Sequence, residues 1–222
     1  MCLILVAWRR HAAFPLVVAA NRDEFHARPA SPAAFWEDHR GILAGRDLQA
    51  RGTWLGVSRS GRFASVTNYR GGHDTKAVES RGTLVTGYLL GDSAAKEYIA
   101  KIDASKYSGF NLLVANRNEL WWLSSRDGGA RRLEPGFYAL GNLLLDTPEV
   151  MEVKARFEAA PAAVESLFSV LAGAKVVAPV YGTRCSTVVM TQSSGRTRFA
   201  ERTFDAAGAD GSTLRYEFGG IA

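Results

Sequence analysis

The chain has 222 residues, 47% of them hydrophobic and 22% charged, with a formal charge of +5. That length suits one large domain, 1–222, able to bury a core without staples. Two cysteines exclude a disulfide framework, and 27 scattered Lys and Arg without a run of five give no reason to expect a nucleic-acid partner.

The pattern begins with residues 2–8, apolar at every position, and 16–20, apolar again. Runs without alternation predict strands covered on both faces. Residues 9–15, polar and closed by Pro15, connect them. Residues 21–53 read as irregular, broken by Pro29 and Pro32, with a short strand at 42–45. Residues 54–57 and 62–68 form a hairpin about the Ser58–Gly61 turn. A helix capped by Ser80 carries Leu84, Val85, Tyr88 and Leu89 on one face and ends at Gly91. A second starts near Asp92 or Ser93 and carries Ala95, Tyr98, Ile99 and Ile102.

Strands at 110–115 and 120–124 follow, then a short one at 138–140. Pro148 opens a helix with Val150, Val153 and Phe157 on one face. Pro161 separates it from another at 163–171. The end is β: 186–191, 197–203 and 214–218, with turns at Gly195 and 208–211. Strands, two helices, strands, two helices, strands is an α+β order. Strands apolar on both faces need a layer above and below. Two stacked, mainly antiparallel sheets flanked by helix pairs, a four-layer αββα sandwich, supply them.

The seven-residue apolar run at the start has no basic segment before it, so it does not read as a secretory leader. No apolar stretch approaches the roughly 18 residues of a membrane span. The reducing cytoplasm is the expected compartment. No CxxC, HExxH, GxxxxGK[ST] or GxSxG occurs, so neither a metal nor another cofactor is expected. His11, His26, His39 and His73 read as loop histidines. Nothing in the sequence fixes the oligomeric state.

Cys2 is either the first apolar residue of a buried strand or a nucleophile. Removal of Met1 would leave a thiol and an α-amine on one residue, with reference pKa values of about 8.5 and 7.7–8.0. The amine can then accept the thiol proton near neutral pH. Asn21-Arg22-Asp23-Glu24 follows the second buried strand. Four polar groups there face a cleft or pair with one another. Arg22 could hold a thiolate and Asp23 an α-ammonium; the alternative is a surface turn. Asn142, in Gly141-Asn142, is a turn residue or an oxyanion donor. Gly182-Thr183-Arg184-Cys185-Ser186-Thr187 opens a strand with a cation that neutralises charge or sits at a strand edge. Thr67-Asn68-Tyr69-Arg70 reads the same way.

Taken in order, Met1-Cys2, Asn21-Arg22-Asp23-Glu24, Thr67-Asn68-Tyr69-Arg70, Gly141-Asn142 before Leu145-Asp146-Thr147-Pro148, and Gly182-Thr183-Arg184 before Ser186-Thr187 resemble the blocks of the NRDE family. This is the family of the transport-and-Golgi-organisation protein 2. It is similar in turn to the cysteine branch of N-terminal-nucleophile hydrolases, which cleaves non-peptide amides. The resemblance implies the αββα sandwich. It also implies a site of Cys2, Arg22, Asp23, Asn142 and Arg184, with Asn21, Asn68 and Tyr69 as substrate contacts. The acylases separate their Arg and Asp, whereas Arg22 and Asp23 are adjacent. The implied function is amide hydrolysis of a small-molecule substrate by Cys2. The alternative is a non-catalytic carrier for haem or an acyl-lipid metabolite, with Trp54, Tyr69, Trp121 or Trp122 lining a pocket or filling the core. Family members are associated with Golgi organisation, lipid metabolism and haem trafficking. A third reading, an interaction protein, has only the positive charge behind it.

Overall fold

The computed structural model describes residues 2–71 and 77–219. Met1 and His73 lie outside them. In chain order the elements are β1 (Leu3–Trp8), β2 (Leu16–Phe25), β3 (Ala30–Phe35), β4 (Ile42–Asp47), β5 (Leu55–Ser58), β6 (Phe63–Asn68), α1 (Gly82–Leu90), α2 (Ala95–Ala100), β7 (Phe110–Ala115), β8 (Leu120–Ser124), β9 (Gly129–Leu133), β10 (Gly136–Leu140), α3 (Met151–Ala159), α4 (Val164–Ala172), β11 (Tyr181–Thr191), β12 (Thr197–Phe204) and β13 (Asp210–Phe218). This is the α+β order read from the sequence.

The chain divides into two compact units. The first joins the residues up to Arg28 with Pro135–Gly219; the second is Pro29–Glu134. The first unit holds a six-stranded sheet, β10-β1-β2-β11-β12-β13, with every neighbour antiparallel. Leu3, Leu5 and Ala7 of β1 and Val17 and Ala19 of β2 pack with Val153 and Phe157 of α3 and Leu167, Phe168 and Leu171 of α4. The alternate residues Ile4, Val6 and Trp8 are also buried, so both faces of β1 are removed from solvent.

The second unit holds an antiparallel seven-stranded sheet, β3 to β9 in sequence order. Leu84, Val85, Tyr88 and Leu89 of α1 are its buried helix face, the four residues the periodicity selects. They pack with Ala64, Leu112 and Val114 of the sheet and with Ala95 and Ile99 of α2.

Several boundaries differ from the sequence reading. Asn21-Arg22-Asp23-Glu24 lies inside β2, not after it, because pairing with β11 continues to Phe25 opposite Tyr181. Residues 21–53 are not irregular: they contain β3 and β4 as well as the end of β2. Pro32 is tolerated because β3 is an edge strand with a register shift between Ser31 and Ala34. Ser80 stands one residue outside the α1 cap, Arg81, and its Oγ accepts the Gly82 N–H at 3.3 Å. Strand β9 was not expected; it is short, exposed and basic, held by pairing with β8. A 3₁₀ turn over Pro148–Val150 precedes α3. Gly211 lies in β13 rather than in the turn, which is made at Gly208 with φ +78°.

Candidate functional site

Four adjacent strands end together. Strand β1 begins at Leu3, β10 finishes at Leu140, β2 runs out to Phe25 and β11 begins at Tyr181, in the spatial order β10-β1-β2-β11. Antiparallel pairing therefore gathers Asn142, Cys2, Arg22–Asp23 and Thr183–Arg184 at one end of one sheet. In sequence these residues lie as far apart as Cys2 and Arg184; across the sheet they span four strands.

Leu3 is the last residue of β1 paired with β2, opposite Asn21, so β2 extends past the start of β1. Cys2 sits at this step, half-buried. Its Sγ donates to the Asp23 carbonyl oxygen at 3.3 Å. Burial, then the Asp23 carboxylate, push the thiol up to about 11, against weaker pulls from a backbone hydrogen bond at Asp23, the N-terminal amine and Arg22. In the chain that carries Met1, the sulfur is therefore a protonated hydrogen-bond donor at neutral pH.

Asp23 is 3% exposed. Its Oδ1 accepts from Thr183 Oγ1 at 2.6 Å, and Thr183 Oγ1 in turn accepts the Val176 N–H at 2.8 Å. The Asp23 carbonyl also accepts from the Tyr181 hydroxyl at 3.1 Å. Arg22, 7% exposed, lies 3.7 Å from Glu24, which also pairs with Arg28 at 3.8 Å. On β11, Cys185 is directly opposite Arg22. Its thiol is pushed well up by burial and then by Glu201, itself buried on β12 opposite Thr187. Thr187 Oγ1 donates to Glu201 at 3.4 Å.

A bulge sets the remaining geometry. The register steps from Asp23 opposite Thr183 to Arg22 opposite Cys185, leaving Arg184 as the extra residue. Its guanidinium Nη1 donates to the carbonyls of Phe25, His26 and Arg28 at 3.0, 3.1 and 3.3 Å. Arg184 thus fixes the turn after β2. Asn21 faces the helix side: its Nδ2 donates to the Leu171 carbonyl at 3.0 Å and its Oδ1 accepts from Ser186 Oγ at 2.6 Å. It ties β2 and β11 to α4.

Asn142 is half-buried in the loop after β10. Asp146 closes that loop: its N–H donates to the Ala139 carbonyl and its Oδ1 accepts the Ala139 N–H, both at 2.8 Å. Lys154 of α3 holds the same oxygen at 3.0 Å, and Asp146 takes φ +57°, which Asp tolerates better than most residues. Asn68 and Tyr69 belong to the second unit. Asn68 ends β6 and is exposed, and the Tyr69 N–H donates to the Gly109 carbonyl at 2.8 Å. Trp122 is fully buried, and half-buried Trp121 packs on the second unit's core with its Nε1 on Glu119. Among the described residues no group of three His, Cys, Asp or Glu is arranged to hold a metal ion, and no helix is long and apolar enough to cross a membrane.

Tyr181, Thr183, Asp146 and Glu201 join the neighbourhood without having been singled out as site residues. Thr183 and Asp146 stand in the sequence blocks. Tyr181 and Glu201 carry no local signal, because only strand pairing brings them near Asp23 and Cys185.

The model of the family described as Transport and Golgi organisation 2 matches residues 1–174. The chain belongs to this family. The Transport and Golgi organization protein 2 homolog of Bos taurus is 33% identical, with 86% of this chain and 87% of the relative covered. The Homo sapiens homolog is 31% identical, with 93% of each covered. Among solved structures, the Caenorhabditis elegans ortholog of N-acylethanolamine-hydrolyzing acid amidase superposes with a TM-score of 0.59 at 14% identity, covering 84% of this chain and 92% of that one. A variant of conjugated bile acid hydrolase from Clostridium perfringens gives 0.60 at 10% identity, covering 99% and 98%. At such identities the likeness shows the fold: this family member has the fold of N-terminal-nucleophile amidohydrolases.

Proposed function

We propose that residues 1–222 act as one catalytic domain, a cysteine N-terminal-nucleophile hydrolase of a non-peptide amide on a small molecule. One observation supports this above the others: Asn142, Cys2, Arg22–Asp23 and Thr183–Arg184 come from four distant segments and lie at one end of four adjacent strands. A structural strand start needs no such company.

The raised thiol states the requirement for activity. While Met1 is attached, residue 2 has no amine of its own and its proton rests against the Asp23 carbonyl. Hydrolytic removal of Met1 supplies the base. The thiol proton passes to the α-amine, and the sulfur forms a bond to the amide carbon while the carbonyl π electrons move to oxygen. Asn142 and a backbone N–H steady that oxyanion. Collapse breaks the C–N bond, and the ammonium gives its proton to the departing amine. Water then attacks the thioester, loses its proton to the α-amine, and the sulfur leaves as the thiol.

Arg22 favours the thiolate by charge. Asp23, one oxygen held by Thr183, orients the α-ammonium. Arg184 and Asn21 keep β2 and the following turn in place. Two free thiols suit a reducing compartment such as the cytoplasm.

Intact-mass measurement after exposure to a panel of acyl amides tests the proposal. Loss of Met1 and a mass gain mapping to Cys2, absent from Cys2→Ala, are expected. Retained Met1 with a thiol inert to every amide would overturn it. In that event a haem or acyl-lipid carrier is the reading to pursue, by titration for a shift in the Soret band or for lipid binding.

A further inference from the structure

The Asp23 carbonyl is an unusual acceptor. It receives two side-chain donors, Cys2 Sγ at 3.3 Å and the Tyr181 hydroxyl at 3.1 Å. A carbonyl oxygen has two lone pairs, and these donors occupy both. We propose that Tyr181 is a positioning residue of the site, whose hydroxyl acts through the Asp23 carbonyl to favour ionisation of Cys2. This rests on the thiol chemistry proposed for Cys2, though not on any particular substrate.

When the thiol loses its proton, the sulfur anion is left facing the negative end of the Asp23 C=O dipole. A donor on the same oxygen draws electron density from it and weakens that repulsion. Without the donor, the oxygen also becomes a better acceptor for the S–H and holds the proton more firmly. Both effects have one sign: the Tyr181 hydroxyl lowers the cost of the thiolate.

The hydroxyl is well fixed for this. The Tyr181 ring packs edge-to-face on Phe25, its cross-strand partner, with centroids 5.3 Å apart and an interplanar angle of 77°. Its backbone begins β11, and the carbonyl of the preceding Val180 accepts the His26 N–H at 3.0 Å. Burial and the nearby Cys2, Asp23 and Glu24 push the phenol up, so it remains a donor throughout the range in which the thiol ionises. The charged and titrating groups that act on the thiol are Asp23 and Arg22 from β2 and the chain's own N-terminal amine, joined near Tyr181 by Glu24; Cys185 and Glu201 stand next to Arg22.

The test is the pH–rate profile for alkylation of Cys2 by iodoacetamide, read by peptide mass so that Cys185 is scored separately. It is run on the full chain, wild type and Tyr181→Phe, with N-terminal processing verified to be the same in both. Phenylalanine keeps the ring on Phe25 and removes only the hydroxyl. Below the thiol pKa the rate follows the thiolate fraction, so the variant is expected to react about tenfold more slowly at pH 8, with its profile moved to higher pH. Phe25→Leu, which removes the ring contact and keeps the hydroxyl, is expected to leave the profile in place. An unmoved profile in a folded Tyr181→Phe overturns the inference, as does an equal shift in both variants. Because the readout is thiol reactivity, a chain that hydrolyses no amide can still give the expected shift. Failure here and failure of the amidase reading are therefore distinguishable.

Discussion

Strand β2 contains two stretches, Leu16 to Ala20 and Asn21 to Asp23, that are equally buried and built on opposite principles. Residues from Leu16 to Ala20 are apolar and at most 6% exposed; Asn21, Arg22 and Asp23 are polar and 2 to 7% exposed. The first stretch is held by burial itself, each side chain removed from water against apolar neighbours. The second is held by specific partners: Leu171 and Ser186 for Asn21, Glu24 for Arg22, Thr183 for Asp23. Removing polar groups from water is costly unless each finds a partner, so the second stretch adds little net stability. What it adds is a fixed arrangement of charge beside a thiol.

Substitutions in the two stretches should separate these principles. The largest effect is expected from Arg22→Met in the polar stretch. It removes the cation that favours the thiolate and should lower amide turnover by about a hundredfold or more, measured as kcat/KM on whichever acyl amide labels Cys2. Its denaturation midpoint should move little, because an apolar side chain of similar size replaces a costly buried charge and Glu24, 21% exposed, keeps its water. A collapse in stability with turnover intact would reverse the roles assigned to the two stretches.

Val18→Ala in the apolar stretch should do the opposite. Val18 is fully buried, so the loss of two methyl groups should cost about 2 kcal/mol in urea denaturation. The pH profile of Cys2 alkylation should stay where it is.

Thr183→Val keeps the shape of the side chain but removes the donor to Asp23 and the acceptor for the Val176 N–H. A loss of about 1–2 kcal/mol is expected by the same denaturation assay, together with slower turnover, since Asp23 is no longer held.

The last effect is confined to alkaline pH. Burial raises the Cys2 thiol from 9.0 to about 11 in the chain carrying Met1, so the folded protein holds that proton more tightly than the unfolded chain. The contribution is fully present below pH 9 and is lost as pH rises toward and through 11. Cys2→Ser should flatten part of the decline in unfolding free energy over that interval. An unchanged slope would mean that the sulfur is better hydrated than its place at the end of β1 indicates.

The periodicity of α1 named all four residues of its buried face, and the apolar runs located β1, β7 and β8 almost to the residue. The helix starts are less legible in the sequence. The Ser80 hydroxyl accepts from an N–H without being the cap, and Pro148 begins a 3₁₀ turn before α3. Strands β3 and β9 were missed because one carries proline and the other reads GARRL. Neither is apolar enough to signal burial, and each is a strand only because a neighbour pairs with it.

What the sequence determined by itself was the α+β order, the apolar faces and the short ordered blocks that mark the family. Those properties are local: they follow from which residues stand two, three or four positions apart. The tertiary structure alone decided that Asn21-Arg22-Asp23-Glu24 continues a strand, that Arg184 bulges out to clamp a turn, and that Tyr181 shares an acceptor with Cys2. Each of these depends on a pairing register between segments more than 150 residues apart, and register is set by the sheet as a whole.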